Sequence, residues 1–467
     1  MQRRDFFRNG SLALLGTTLT GHPILGNTID SKPGKQQAHN IIFLVSDGMS
    51  TGTLNMASLL KQRKEGSQSH WMKLYEEKKV VKALMDTASA SSMVTDSAAG
   101  SSSWGGGVRV NNGSLNVSPD GTKHTPILQK FKAAGKSVGC VTTVPITHAT
   151  PAGFCINNNK RGDQAEIATQ YLPLRFDVMM GGGLEYFTAD KRKDKQDLLS
   201  VYRQQSYEVA LTREEMMKAD GKKPLLGVFH EDGLPYALDR LQNKDHINTI
   251  PTLAEMTAKA IEVMSSNKKG FVLQVESGKV DWAAHANDVG ALLYDQLQFD
   301  DAVKVAIDFA EKDRNTLVII TTDHGNANPG LFYGDKANSN FDHIQHFKHT
   351  NDWILNGINK NFTTQQVIER IEYAQGIVLQ QQEAGELLKH YSALDESGLY
   401  NPRKLPFKYL AQLQQSFTSV GWGSMDHSAD YVELAAYGPG SELLKPFLKN
   451  TDLHYLMLNA TGVKHNN

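Results

Sequence analysis

Residue types that commonly bind metal ions follow four short apolar runs of the sequence. The runs span 41–45, 138–144, 271–275 and 317–321, and carboxylate, imidazole or hydroxyl side chains come after each of them. Carboxylate oxygens and imidazole nitrogens together suit Zn²⁺, and an all-oxygen subset suits Mg²⁺. The sequence therefore predicts a metal site built from Asp47, His148, Thr150, Glu276, Asp281, His285, Asp323 and His324.

Each of these residues taken singly also has an ordinary structural explanation. Asp47 followed by Gly48 is typical of a turn. Asp281 and His285 are four residues apart, so they can form a structural pair on one helical face. The metal-site prediction depends on suitable donors occurring after all four runs.

Ser97 is the candidate nucleophile. It stands before Ala98, Ala99 and Gly100, and small neighbours allow a serine oxygen to be exposed at a helix start, where backbone N–H groups and the helix dipole favour an anion. A serine-rich helix cap is the alternative, because residues 89–103 contain many serines. The sequence near Ser97 offers no evident His–Asp pair, so the serine needs another activator, and a bound Zn²⁺ can deprotonate it.

The four apolar runs are themselves rich in β-branched residues and continuous rather than alternating. Such runs predict strands buried on both faces of a parallel sheet. Stretches with helical spacing, such as 252–264 and 291–311, lie between them. The alternation predicts an α/β fold with a central, mostly parallel, doubly wound sheet flanked by helices, whose functional residues cluster past the carboxyl ends of the strands.

Composition excludes several classes of protein. Of 467 residues, 40% are hydrophobic, which indicates a globular chain rather than a disordered one. The 49 basic and 50 acidic residues leave no basic excess, so we expect no nucleic-acid partner. Cys140 and Cys155 are the only cysteines, which excludes a cysteine-rich zinc fold and leaves open whether the two form a disulfide or remain free thiols.

The first residues read as an export signal. Arg3 and Arg4 precede a modest apolar run at 11–19, and adjacent arginines point to the twin-arginine route. The run is too short to span a membrane, and a cytosolic N-terminal arm is the alternative. We therefore divide the chain into a signal and linker at 1–37 and a catalytic domain at 38–467, and we expect a periplasmic or secreted protein.

The segment VTDSAAG at 94–100, with the acidic residues and histidines in the same order, resembles the alkaline phosphatase family over nearly the whole chain after residue 38. The resemblance implies hydrolysis of phosphate monoesters through a phosphorylated Ser97, with two Zn²⁺ and one Mg²⁺, in a homodimer. It implies a first zinc site of Asp281, His285 and His427, a second of Asp47, Asp323 and His324, and a magnesium site of Asp47, Thr150 and Glu276 with His148 beside it. From the sequence alone, His427 would be a loop histidine.

The resemblance also assigns the phosphate contacts. Arg161 lies thirteen residues after His148, which is the family's spacing for the arginine that clamps phosphate, and Lys160 is the rival if the loop shifts by one residue. Asp96 would orient Arg161. Trp282 would reach the phosphate through its N–H, often by way of a water.

Residues 340–420 are interpreted as an inserted, largely helical, crown-like segment, with a surface excursion of no role as the alternative. The preferred function is an exported, metal-dependent alkaline phosphatase. A phosphodiesterase of the same metalloenzyme superfamily and a non-catalytic phosphate- or metal-binding exported protein are the alternatives.

Overall fold

The computed structural model describes residues 37–391 and 404–464, and a ten-stranded sheet forms its centre. Nearly all of the predicted signal and linker lies outside the described residues. In chain order the strands are β1 (Asn40–Ser46), β2 (Val81–Asp86), β3 (Ser137–Pro145), β4 (Val178–Gly182), β5 (Glu208–Ala210), β6 (Leu225–Val228), β7 (Phe271–Ser277), β8 (Thr316–Thr321), β9 (Gly325–Asn326), β10 (Gly330–Leu331), β11 (Val420–Gly421), β12 (His427–Ser428), β13 (Val432–Tyr437) and β14 (Phe447–Lys449).

The sheet order is β14-β2-β13-β8-β1-β7-β3-β4-β6-β5, and only β13 runs antiparallel to its neighbours. The four predicted strands are therefore adjacent and parallel at the centre, in the order β8, β1, β7, β3. Their carboxyl ends meet at one edge of the sheet. The prediction of a mostly parallel, doubly wound α/β fold is confirmed.

Helices cover both faces of this sheet. They are α1 (Thr51–Glu65), α2 (His70–Glu76), α3 (Ser97–Gly105), α4 (Ile127–Ala133), α5 (Ala149–Cys155), α6 (Gln164–Tyr171), α7 (Leu198–Gln204), α8 (Arg213–Lys218), α9 (Ala237–Arg240), α10 (Lys244–Thr249), α11 (Leu253–Met264), α12 (Lys279–His285), α13 (Val289–Asp313), α14 (Ala337–His343), α15 (Asn351–Asn356), α16 (Thr364–Gln375), α17 (Gln381–Tyr391), α18 (Phe407–Thr418) and α19 (Asp452–Thr461). Within the described ranges, we find no helix with the length and apolar character needed to cross a membrane.

Strand β1 shows why its sequence is apolar without alternation. Ile42 and Leu44 pack into one hydrophobic cluster, while Ile41, Phe43 and Val45 pack into a second. Successive side chains of a strand point to opposite faces, so the two clusters lie on the two sides of the sheet. Both faces are thus sealed by apolar contacts, which leaves the carboxyl edge as the polar part of the strand layer.

Helix ends follow local capping chemistry. Thr252 caps α11 and forms a capping box with Glu255, so the predicted helix at 252–264 begins one residue later. Asp288 caps α13, and this helix extends beyond the predicted 291–311 at both ends. The helices α14 to α18 overlap the predicted insertion at 340–420, with α14 beginning three residues before it, and residues 392–403 lie outside the described residues. Cys140 and Cys155 are buried free thiols whose sulfur atoms are 3.6 Å apart.

Candidate active site

Ser97 is the first residue of α3, at the carboxyl edge of the sheet. Asp96 caps this helix by accepting a hydrogen bond from the N–H of Ala99 at 2.9 Å. Its other carboxylate oxygen accepts from the N–H of Gly113 at 2.9 Å and from Nη1 of Arg161 at 3.1 Å. One aspartate thereby fixes both the serine-bearing helix start and the predicted phosphate-binding arginine.

His324 brings Ser97 together with two carboxylates. Its Nε2 atom is 3.4 Å from Oγ of Ser97, 3.3 Å from Oδ2 of Asp323 and 3.6 Å from Oδ1 of Asp47. These residues come from three places: the helix start at α3, the turn after β1 and the turn after β8. All four side chains are at most 1% exposed.

The protonation of His324 indicates which of its ring nitrogens could bind a cation. Its Nδ1 faces the backbone oxygen of Gly325 at 3.3 Å, and a carbonyl only accepts, so Nδ1 carries the proton. Burial lowers the pKa of His324 and keeps the ring neutral. Nε2 therefore presents a lone pair beside two carboxylates, which is a set of donors that could bind a cation. A serine-protease triad is also excluded, because there the acid would face Nδ1.

A second cluster of side chains consists of Asp281, His285 and His427. The Nε2 atoms of the two histidines are 3.0 Å apart, and they lie 3.5 and 3.4 Å from the Asp281 carboxylate. Each histidine directs Nδ1 at a backbone carbonyl, His285 at Met425 (2.6 Å) and His427 at Thr95 (2.9 Å). Both Nε2 atoms therefore face each other and the Asp281 carboxylate, and a cation bound there would take the place of the proton between them.

His427 reaches this place through a pairing that its own neighbourhood does not reveal. It lies in the two-residue strand β12, which pairs antiparallel with β9 directly after His324. The His427 and His324 rings stack with centroids 3.7 Å apart. Burial alone would lower the pKa of His427, but the hydrogen bond and charge of Asp281 raise it to about 9.

The third cluster of side chains contains Asp47, Thr150, Glu276 and His148. Oγ1 of Thr150 donates to Oδ2 of Asp47 at 3.3 Å, and Thr142 donates to Oε2 of Glu276 at 2.5 Å. His148 brings one ring nitrogen near Asp47 and Glu276, so that these three residues could hold a metal ion together. Oxygen donors dominate this group, and Mg²⁺ prefers such ligands.

The carboxylates share one pattern that tests whether cations fit. Asp47 Oδ1, Glu276 Oε1 and Asp323 Oδ2 are buried and accept no hydrogen bond from any residue within 37–391 and 404–464. Burial raises the pKa of Asp47, raises that of Glu276 to about 7 and, together with the charge of Asp281, raises that of Asp323 to about 6. A buried carboxylate oxygen that accepts no hydrogen bond from the protein is suited to bind a cation. These residues therefore fit metal ions.

Arg161 lies at the entrance to this centre. Its Nη2 atom is 3.1 Å from Nε2 of His148, which accepts because burial and the Arg161 charge lower the pKa of His148 to about 3. Asp96 and His148 thus hold the guanidinium from two sides. Lys160, the rival position, is exposed and is not among these contacts. The Trp282 ring packs edge-on against His148 with centroids 6.1 Å apart.

Three further residues support the site and were missed by the sequence analysis. Asn326 donates to Oδ1 of Asp281 at 2.7 Å, and Thr142 holds Glu276 as described above. Gly48 adopts φ +65°, and a Cβ there would lie 2.5 Å from the Asp281 carboxylate. A buried threonine within an apolar strand and an asparagine two residues after His324 were the available signals.

The fold and the side chains at its carboxyl edge define an α/β protein with a serine beside clustered carboxylates and histidines that could hold metal ions. A family model described as alkaline phosphatase matches residues 38–463. Alkaline phosphatase 4 of Bacillus subtilis is 32% identical over 429 residues, covering 90% of this chain and 88% of that protein. The crystal structure of Thermus thermophilus alkaline phosphatase superposes with a TM-score of 0.85 at 31% identity, covering 92% of this chain and 93% of that chain.

A cold-active alkaline phosphatase from a psychrophilic Shewanella species shares the fold, with a TM-score of 0.76 and 24% identity over 90% of this chain and 99% of that chain. The chain belongs to the alkaline phosphatase family, whose members are phosphomonoester hydrolases.

Proposed function

We propose that this chain is an exported, metal-dependent alkaline phosphatase that hydrolyses phosphate monoesters through a phosphoserine at Ser97. One observation carries the proposal. The Ser97 hydroxyl lies 3.4 Å from a neutral His324 nitrogen, in a centre where three buried carboxylates each keep one oxygen without a donor. Such a centre attracts cations and, once loaded, the phosphate dianion.

The three clusters support a proposal of three ions. Asp281, His285 and His427 would hold one Zn²⁺, while Asp47, Asp323 and His324 would hold a second beside Ser97. Asp47, Thr150 and Glu276, with His148 adjacent, would hold Mg²⁺. Bound there, the ions supply positive charge to the phosphate oxygens and lower the pKa of hydroxyl groups that they contact.

The chain's own residues supply position and charge. The Arg161 guanidinium, held by Asp96 and His148, offers paired N–H donors to two phosphate oxygens and places phosphorus next to Ser97. Oγ of Ser97, its proton released to solvent, bonds to phosphorus while the bond from phosphorus to the alcohol oxygen breaks and the alcohol takes up a proton. A water then replaces Oγ on phosphorus, which releases phosphate and restores Ser97.

Phosphate trapping tests the proposal. Enzyme incubated with ³²P-labelled phosphate and quenched in acid should carry label on Ser97. Ser97→Ala should carry none, and Ser103→Ala, a buried serine in the same helix, should carry as much as wild type. A metal-loaded protein without label would instead favour a non-catalytic binder.

The phosphodiesterase alternative is decided by comparing p-nitrophenyl phosphate with bis-p-nitrophenyl phosphate. The proposal expects kcat/KM for the monoester to be larger by at least about 10²-fold, since Arg161 and the ions are arranged for a dianion. Dominant diester hydrolysis would reject it.

Export and dimerisation are further parts of the proposal. Arg3 and Arg4 support export by the twin-arginine route to the periplasm or outside the cell, and replacing both with lysine should retain the protein in the cytoplasm. Membership of the family supports a homodimer, which light scattering of the purified protein measures directly.

A further inference from the structure

A cavity of about 870 Å³ adjoins the predicted first zinc site. Its walls include Trp282 and His285 of α12, Tyr236 before α9, Phe407 of α18 in the predicted insertion, and Met425 between β11 and β12. His285 also belongs to the cluster that contains His427 and Asp281. A phosphate ester held at Ser97 and Arg161 can therefore extend its alcohol part into this cavity, which is large enough for a drug-sized group.

Lys279 is the unusual residue of this cavity. Its side chain is buried, at 7% residue exposure, and Nζ lies 3.7 Å from the Tyr236 ring centroid and 4.5 Å from the Trp282 ring centroid. Among the described residues, no oxygen accepts a hydrogen bond from Nζ and no carboxylate forms an ion pair with it. The two aromatic rings contact the amine from the protein side, and its N–H donors remain available to a ligand oxygen in the cavity.

The charge of the cavity limits what that ligand can be. Lys279 is the only lysine or arginine among its described lining residues, whereas five carboxylates line it: Glu185, Glu231, Asp232, Asp239 and Asp352. A leaving group with several negative charges is repelled by this wall. A neutral leaving group rich in hydroxyls fits better, because each hydroxyl can donate to a carboxylate and accept from an amine.

We propose that this cavity binds the alcohol part of the substrate, that Lys279 donates hydrogen bonds to its hydroxyl oxygens, and that monophosphates of sugars and polyols are the preferred substrate class. The inference rests on the proposed function, since the cavity selects substrates only if the phosphate is processed at Ser97. Lys279 acts here as a specificity residue and takes no part in the bond changes at phosphorus.

The test compares glucose 6-phosphate with ethyl phosphate, which carries the same reacting group without hydroxyls. The ratio of their kcat/KM values is the measurement, because a general loss of activity cancels in it. Wild type should favour glucose 6-phosphate, and Lys279→Met should lower the ratio about tenfold, a typical effect of losing hydrogen bonds from a charged donor. Lys304→Met, on the exposed side of α13, removes the same charge and should leave the ratio unchanged.

Asp232→Ala provides a second variant at an exposed position of the cavity wall, and it should lower the same ratio without disturbing α12. Adenosine triphosphate should have a lower kcat/KM than glucose 6-phosphate in wild type. Unchanged ratios in both variants, or equal losses with both substrates, would overturn the inference. Failure of the proposed function is distinguishable, because ethyl phosphate would then be a poor substrate for wild type and Ser97 would carry no label.

Discussion

Buried carboxylates occur in two regions of this molecule with opposite hydrogen bonding. Asp300, in the middle of α13, accepts from Lys61 Nζ at 3.0 Å and from the N–H groups of His70 and Trp71 at 2.7 and 2.9 Å. Asp323, after β8, accepts from the N–H groups of Gly48 and His324 at one oxygen, and its other oxygen has no donor within the described part of the chain.

The difference separates Asp300 from the acids of the candidate site. The protein completes the shell of Asp300 with its own cation and donors, so this residue joins α1, α2 and α13. The protein provides hydrogen-bond donors to only one oxygen of Asp323, and the same holds for Asp47 and Glu276. A half-completed shell costs stability in the metal-free protein and creates affinity for cations.

Asp323→Asn should show the largest effect. We expect kcat/KM to fall roughly 10³-fold, more than the 10–100-fold typical of groups that only orient a ligand. Burial and the charge of Asp281 raise the pKa of Asp323 to about 6, so ionisation above that pH destabilises the metal-free fold. Urea unfolding of the metal-free variant at pH 8 should therefore show equal or greater stability than wild type, and a lower stability would contradict the comparison.

Asp300→Asn should lower stability while leaving activity nearly unchanged. Loss of the buried partner of Lys61 is expected to lower the free energy of unfolding by about 3–5 kcal/mol. Activity per folded molecule at low temperature should remain close to wild type. A large loss of kcat in the folded variant would mean that the two regions are not functionally distinct.

Thr142→Val tests whether the hydrogen bonds that the protein donates to its site carboxylates contribute to metal binding. It removes the donor to Oε2 of Glu276 while keeping the shape of the side chain. The Mg²⁺ concentration needed for half-maximal activation should rise about tenfold, as is usual when a ligand loses its orienting partner. If Mg²⁺ titration of activity gives the wild-type midpoint, Glu276 does not depend on this hydrogen bond.

Asp96→Asn should have the smallest effect. Asparagine is as good a helix cap as aspartate, so α3 should keep its start, but the ion pair with Arg161 is lost. Both partners of this pair are partly exposed, with side chains 20% and 28% accessible, which moderates the loss. We expect KM for p-nitrophenyl phosphate to rise about tenfold or less. Unchanged steady-state kinetics would show that Asp96 serves only the helix.

The sequence predicted the central part of the fold because its signals are local. The four continuous apolar runs are β1, β3, β7 and β8, and adjacency in a parallel sheet is enough to bring the residues at their ends together. His427 could not be found this way, since it depends on a two-residue pairing with β9, about a hundred residues earlier. Arg161 was placed only by the family resemblance.

Lys279 and Asn326 were missed for a related reason. Lys279 stands two residues before Asp281 and looks like a solvent-facing lysine, but the packing of Tyr236 and Trp282 buries it. Contacts between residues distant in the chain leave no local pattern, so only the folded arrangement reveals these roles.

The number of metal ions bound per chain tests the central claim most directly. Native mass spectrometry of wild type equilibrated with Zn²⁺ and Mg²⁺ should show two zinc ions and one magnesium ion per chain, and Asp323→Asn should lose one zinc ion. Chelation should remove the ions together with the activity, and both should return on reloading. A folded, metal-free protein that still hydrolyses phosphate monoesters at the wild-type rate would contradict the account.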